Sequence, residues 1–137
     1  MWWIFALLSA LFAALTAIFA KIGIRGVDTD LATAIRTVVI LIIAWGIAFL
    51  RGGASTINTL SKQNLLFLCL SGIATGLSWI FYFKALQLGK VSQVAPVDKM
   101  SVAIAIILAV VFLGEPLTLR TAIGALLIIG GTLTLIL

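Results

Sequence analysis

The chain has 137 residues, of which 64% are hydrophobic and 9% are charged, and its mean hydropathy is +1.33. Soluble domains are roughly half apolar, so this composition excludes a soluble globular protein and predicts an integral membrane protein. At about 20 residues per span, 137 residues accommodate five transmembrane helices and no additional soluble domain.

The charged and reactive residues exclude several classes of protein. The net charge of +5 does not predict a nucleic-acid partner, because the basic residues are dispersed and mostly flank or interrupt apolar runs. Cys69 is the only cysteine and histidine is absent, so neither an intramolecular disulfide nor a metal site is expected. Without such groups to activate a nucleophile, we expect no enzyme and no cofactor.

The spans are predicted from five apolar runs that short polar connections separate. Their approximate bounds are residues 2–22, 31–50, 63–88, 91–113 and 117–137. The first run lacks the basic start of a signal peptide and opens with Trp2 and Trp3, so we interpret it as a span with interfacial anchors. Thr29 or Asp30 is the candidate N-cap of the second helix.

Spans 2 and 3 carry the first candidate functional side chains. Arg36 lies near the start of span 2, where it either extends to the interface or faces a cavity as a cation. In span 3, Trp79, Tyr82 and Phe83 have helical i, i+3, i+4 spacing and share a face, next to Lys84. That face is either an interfacial aromatic belt or the wall of a ligand site.

Polar residues are concentrated around the start of span 4. Gly89 is a suitable stop for span 3, and Ser92 is a candidate N-cap of span 4. Pro96 is expected to kink or loosen the preceding turn. Asp98 and Lys99 follow, and they need not pair with each other because successive residues point about 100° apart. Ionisable groups at the centre of a span cost about 2.5–3.5 kcal/mol each on insertion scales, so this segment is the first candidate for function.

The turn before span 5 contains Gly114, Glu115 and Pro116. We expect Gly114 to end span 4, Pro116 to lie near the first turn of span 5, and Glu115 to complement that helix N-terminus.

The charges that flank the spans predict membrane orientation only weakly. With five spans, the N-terminus, the loop between spans 2 and 3 and the turn between spans 4 and 5 share one side. The flanking cations on that side are Arg51, Lys62 and Arg120, and those on the other side are Lys21, Arg25 and Lys90. The balance predicts dual topology, in which copies insert both ways, and a single fixed orientation is the alternative.

Several segments resemble the EamA domain of the drug/metabolite transporter superfamily. The residues that carry the resemblance are Trp45, the run Ala6–Lys21, Tyr82–Leu86, Gly89, Ser92, Val94, Pro96, Lys99 and Leu113–Glu115. It covers essentially the whole chain and is closest to the small, five-span bacterial and archaeal members. It implies one five-helix unit over residues 1–137, located in the cell inner (cytoplasmic) membrane.

Longer members of the family carry two such units in opposite orientation around a central cavity. This chain has one, so an antiparallel homodimer within the lipid bilayer would reproduce the family architecture. The resemblance then implies a secondary transporter that moves small polar metabolites by alternating access. The alternative is a non-transporting membrane subunit that assembles with a partner protein or stabilises it.

Inverted units generally place the substrate site near the bilayer midplane, so we expect spans 1, 3 and 4 to line it. The candidate substrate-binding residues are Arg36, Trp79, Tyr82, Lys84, Ser92, Pro96, Asp98 and Lys99. Trp79 and Tyr82 would form the wall, and Lys99, with Lys84 and Arg36, would select for charge. The excess of cations favours substrates with an anionic group, such as amino acids or organic acids.

The other expected roles concern the fourth span. Asp98 would be a counter-ion or a proton-coupling carboxylate, and Pro96 would supply irregular backbone. Alternatively, Asp98 and Lys99 pair with neighbouring helices only to fix their packing.

Overall fold

The chain is entirely helical in a computed structural model that describes residues 1–137. Six α-helices and one short 3-10 helix follow one another without a strand. The α-helices are α1 (Trp2–Gly23), α2 (Thr29–Leu50), α3 (Lys62–Leu88), α4 (Val91–Lys99), α5 (Ser101–Leu113) and α6 (Leu119–Ile136), and the 3-10 helix is Gly53–Thr59.

Five helical segments are long and apolar enough to cross a membrane, which confirms the predicted number of transmembrane helices. Helices α4 and α5 together form the fourth of them, Val91–Leu113. The lengths are unequal, since α3 has 27 residues and α6 has 18. Most large apolar side chains along these helices are exposed, as expected for surfaces that contact lipid. Antiparallel pairing of two copies stays a prediction.

The residues group into two compact units. The first comprises Met1–Phe19 and Leu88–Leu137, and within it α4, α5 and α6 pack against one another. The second comprises Ala20–Gln87, and within it α2 contacts the 3-10 helix. The second unit contains the two largest fully buried side chains, Phe83 and Leu86, which lie one helical turn apart on α3.

Two helix caps differ from the predicted ones, and a third cap, on α6, was not predicted. Asp28, and not Thr29 or Asp30, caps α2, because its Oδ1 accepts hydrogen bonds from the backbone N–H groups of Asp30 and Leu31, each at 3.0 Å. Ser92 lies inside α4 and does not cap it, since α4 begins directly after Lys90. Thr118 caps α6 through the N–H of Thr121.

At the turn between α5 and α6, one prediction from the sequence is confirmed and one is wrong. Gly114 ends α5 as predicted, with a left-handed φ of 67° that favours glycine. Because α6 begins only at Leu119, Glu115 lies outside its first turn. The expectation that Glu115 complements this helix N-terminus was therefore wrong.

The fourth candidate span is interrupted at Met100, between α4 and α5. The Met100 N–H donates to the carbonyl of Val97 at 3.0 Å, where a regular α-helix would use the carbonyl of Pro96. The Pro96 carbonyl instead accepts a hydrogen bond from the hydroxyl of buried Thr132 on α6, at 3.2 Å. The interruption thus follows Pro96, whereas we had expected the disturbance in the preceding turn. A polar side chain from α6 satisfies the backbone group that the interruption frees.

Candidate functional site

The predicted site residues fall into two groups, one in each compact unit. Arg36, Trp79, Tyr82 and Lys84 belong to the second unit. Ser92, Pro96, Asp98 and Lys99 belong to the first.

In the second unit, the guanidinium of Arg36 lies over two aromatic rings of α3. Its central carbon Cζ is 4.3 Å from the centroid of the Phe83 ring and 5.1 Å from the centroid of the Trp79 ring. Both distances are within the range of a cation–π interaction. Arg36 is half-buried, so these contacts replace part of the hydration that its charge loses within an apolar helix.

The spacing of the aromatic residues on α3 explains how both rings reach one cation. Trp79 and Phe83 are four residues apart and therefore occupy the same face of the helix, one turn from each other. Phe83 is fully buried and Trp79 is half-buried. Tyr82 is half-buried and tilts by 50° against Phe83 at a centroid distance of 5.8 Å.

One nitrogen of the Arg36 guanidinium has no hydrogen-bond partner. Nη1 is buried, and no oxygen of the chain accepts its N–H groups. The ring faces attract the positive charge but do not supply the oxygen acceptors that a guanidinium fork can bind. The aromatic residues therefore hold Arg36 in place and leave part of its hydrogen-bonding capacity unused.

Polar contacts at the end of α3 belong to the same unit, and the sequence interpretation missed them. The Nζ of Lys21 donates to the carbonyl of Leu86. The side-chain amide of Gln87 donates to the carbonyls of Ile24 at 3.4 Å and Val27 at 3.0 Å. These contacts tie the connection between α1 and α2 to the end of α3. The only signal in the sequence was the position of Lys21 and Gln87 beside helix ends.

Lys84 is exposed and takes no part in the cation–π contacts at Arg36. The cluster in the second unit thus consists of Arg36, Trp79, Phe83 and Tyr82. Phe83 makes the shorter of the two cation–π contacts, although we had predicted only its neighbours as site residues.

In the first unit, Asp98 and Lys99 form an ion pair at the end of α4. The Nζ of Lys99 is 3.3 Å from Oδ2 of Asp98, and the two side chains are 57% and 34% exposed, respectively. We had expected that these neighbours need not pair, and the structure shows that they do. Pro96 is half-buried, whereas Ser92 is exposed and lies one turn before Pro96.

A pocket of about 350 Å³ also lies in the first unit, along α5 and the start of α6. None of the predicted site residues lines it. Its lining residues are Val102, Ala105, Ile106, Ala109, Val110, Glu115, Pro116 and Thr121.

The apolar helices define the class of this molecule as a multi-pass α-helical membrane protein. The model of the EamA-like transporter family matches residues 1–137, so the chain belongs to that family, as its sequence resemblance indicated. A Sinorhizobium protein named as an uncharacterized transporter in the 3′ region of cobO is 48% identical over 134 residues, which are 98% of this chain and 95% of that protein. No solved structure matches the chain. Family and relative both support a transporter role.

Proposed function

We propose that this protein is a secondary transporter of small polar metabolites that works by alternating access in the cytoplasmic membrane. The observation that carries the proposal is the match of a transporter family over residues 1–137. A relative named as a transporter, aligned over nearly the full length of both chains, supports the same role. In this proposal residues 1–137 act as one domain.

The interrupted fourth span supports the proposal on physical grounds. Discontinuous helices with freed backbone groups recur at the substrate sites of secondary transporters. Here Met100 keeps helical dihedrals (φ −60°, ψ −21°) but forms a 3-10 turn directly after Asp98 and Lys99. Both charges lie within Val91–Leu113, a segment long enough to cross the membrane. Charged groups at such depth are costly unless they face protein or water.

We propose binding roles for the predicted residues of each unit by itself. In the second unit, Trp79 and Tyr82 form an aromatic wall, and Arg36 and Lys84 select for charge. In the first unit, Lys99 selects for charge. Asp98 is a counter-ion or a proton-coupling carboxylate. Pro96 and Ser92 contribute irregular backbone and a hydroxyl.

The active form that we propose is an antiparallel homodimer. Balanced flanking charges support it, because they allow copies to insert in both orientations. Two inverted copies would then provide the arrangement that internal inverted repeats provide in larger transporters.

Transport is tested with the purified full-length chain in liposomes. We expect counterflow exchange of at least one solute from a panel of amino acids, organic acids and neutral polyols, several-fold above protein-free liposomes. Circular dichroism of the same liposomes confirms that the protein is helical. If folded protein exchanges no member of the panel, the transporter proposal fails and the non-transporting membrane subunit is favoured.

Orientation is tested by labelling intact cells with an impermeant maleimide. In a Cys69→Ala background, Ser55→Cys probes the 3-10 helix between α2 and α3, and Gly89→Cys probes the turn after α3. These positions lie on opposite sides of the membrane if α3 spans it. We expect both cysteines to be labelled to comparable fractions. Labelling of only one of them would show a fixed orientation and rule out the antiparallel homodimer.

A further inference from the structure

The Arg36 cluster consists of Arg36, Trp79, Tyr82 and Phe83, and it contains a cation without a carboxylate partner. We propose that this cluster binds the carboxylate group of a small organic acid, with Arg36 as its hydrogen-bond donor. The inference rests on the proposed function in one respect, namely that it takes this acid to be the transported substrate.

The charges of the second unit support an anionic ligand. Its cations are Lys21, Arg25, Arg36, Arg51, Lys62 and Lys84, and its carboxylates are Asp28 and Asp30. Asp28 is engaged as the cap of α2, and Asp30 is exposed in the first turn of that helix. Neither forms an ion pair with Arg36. The unit therefore has a surplus of positive charge and no acid of its own at the Arg36 cluster.

The geometry at Arg36 suits the recognition of an oxyanion. Phe83 and Trp79 fix the position of the guanidinium, at 4.3 and 5.1 Å from their ring centroids. A cation that is already held in place loses less side-chain entropy when it binds a ligand. Nη1 is buried and finds no acceptor in the chain, so the hydrogen-bonding capacity of the guanidinium is not saturated. A carboxylate supplies two acceptor oxygens that match the fork of a guanidinium.

The charge of the cluster favours a carboxylate over a phosphate group. Arg36 is the only cation of the cluster, so the cluster can neutralise one negative charge on a ligand. A phosphate monoester carries between one and two negative charges at neutral pH and would leave charge uncompensated. The Nζ of Lys21, elsewhere in the unit, is already bonded to the carbonyl of Leu86.

Trp79 provides a direct measurement of binding, because its ring contacts the guanidinium. The chain has four tryptophans, so replacing Trp2, Trp3 and Trp45 by phenylalanine leaves Trp79 as the sole indole. In phosphatidylcholine nanodiscs, this full-length variant is titrated with acetate, isobutyrate and lactate, and with the amide of each acid. We expect a saturable change of Trp79 emission with at least one acid and none with its amide.

Variants of Arg36 test the assignment. Arg36→Gln should weaken the affinity for that acid by about tenfold or more, since it removes charge-assisted hydrogen bonds. Arg36→Lys should also weaken it, because an ammonium lacks the planar fork. Arg25→Gln removes an exposed cation of the same unit and should leave the response unchanged. An unchanged response in Arg36→Gln would overturn the proposal.

A second measurement avoids the possibility that Arg36 variants fail to fold. Phenylglyoxal modifies guanidinium groups, and mass spectrometry reports the modified fraction of Arg36 in the protein with its native arginine. The acid that changes Trp79 emission should protect Arg36 from modification, whereas its amide and protein without ligand should not. Equal modification in all three samples would contradict the assignment.

The remaining outcomes separate this inference from its rivals. Equal responses to acids and amides, or no response to any acid, would overturn it. Stronger binding of inorganic phosphate would assign the site to free phosphate, and competition by phosphatidylglycerol in the nanodiscs would assign it to a lipid headgroup. Acid binding without transport would remove the proposed function and keep the site. Transport of neutral solutes without acid binding would overturn this inference and keep the proposed function.

Discussion

Replacing Asp98 by asparagine is expected to reduce transport to the level of protein-free liposomes while the chain still inserts and folds. Asparagine has nearly the same size and shape as aspartate, so α4 should persist. The substitution removes the negative charge that lies just before the interruption of the fourth span. Counterflow exchange of a transported solute measures the effect. Glu115→Gln is the matched control, since Glu115 is an exposed carboxylate outside the helices of the same unit.

The ion pair with Lys99 offers a second explanation for such a loss, and a double variant distinguishes the two. If Asp98 only neutralises Lys99, the combination of Asp98→Asn with Lys99→Gln should recover activity that Asp98→Asn alone lacks. Lys99→Gln alone is measured beside it, because Lys99 is itself a proposed site residue. An inactive double variant assigns the carboxylate a direct part in transport only if Lys99→Gln alone keeps activity. Such a cycle isolates the coupling between two residues in contact. Normal exchange by Asp98→Asn would remove the proposed role of this residue altogether.

Replacing Phe83 by alanine is expected to cause a large loss of stability. Phe83 is fully buried, and truncation of a buried phenylalanine typically lowers the free energy of unfolding by about 3–5 kcal/mol. It would also remove the ring nearest to the Arg36 guanidinium, at 4.3 Å. Denaturant unfolding in detergent micelles, followed by far-ultraviolet circular dichroism, measures the change.

Phe81 provides the matched control for this experiment. It lies two residues away on the same helix, and its side chain is 72% exposed. Phe81→Ala deletes the same group from a surface that contacts lipid or detergent, so it should change stability far less. Equal losses in the two variants would show that the burial of Phe83 does not stabilise the fold.

The class of the molecule and its number of spans could be predicted from the sequence because they depend on composition and run length. The stop at Gly114 was predictable as well, since it reflects local backbone chemistry. The cap of α2 was misplaced because Asp28, Thr29 and Asp30 are all suitable residues, and only the backbone geometry selects one of them.

The partner of Arg36 could not be identified in the same way. Helix α3 is apolar around most of its circumference, so its pattern does not show which face meets α2. Spacing along α3 indicated that Trp79, Tyr82 and Phe83 share a face. It could not indicate that Phe83 is the buried member and lies closest to the cation. The bond between Thr132 and Pro96 joins residues of different helices and was equally inaccessible.

The unequal lengths of α3 and α6 have a consequence for the membrane in which the protein works. At 1.5 Å per residue, their 27 and 18 residues extend about 40 Å and about 27 Å. The hydrocarbon core of a typical bilayer is about 30 Å thick, so no single bilayer matches both helices. Helix α3 must tilt or extend its polar first turn into the headgroups, whereas α6 matches a slightly thinner core. Bilayer thickness therefore acts on these two helices in opposite directions, and the acyl-chain length of the host lipid decides which of them is matched.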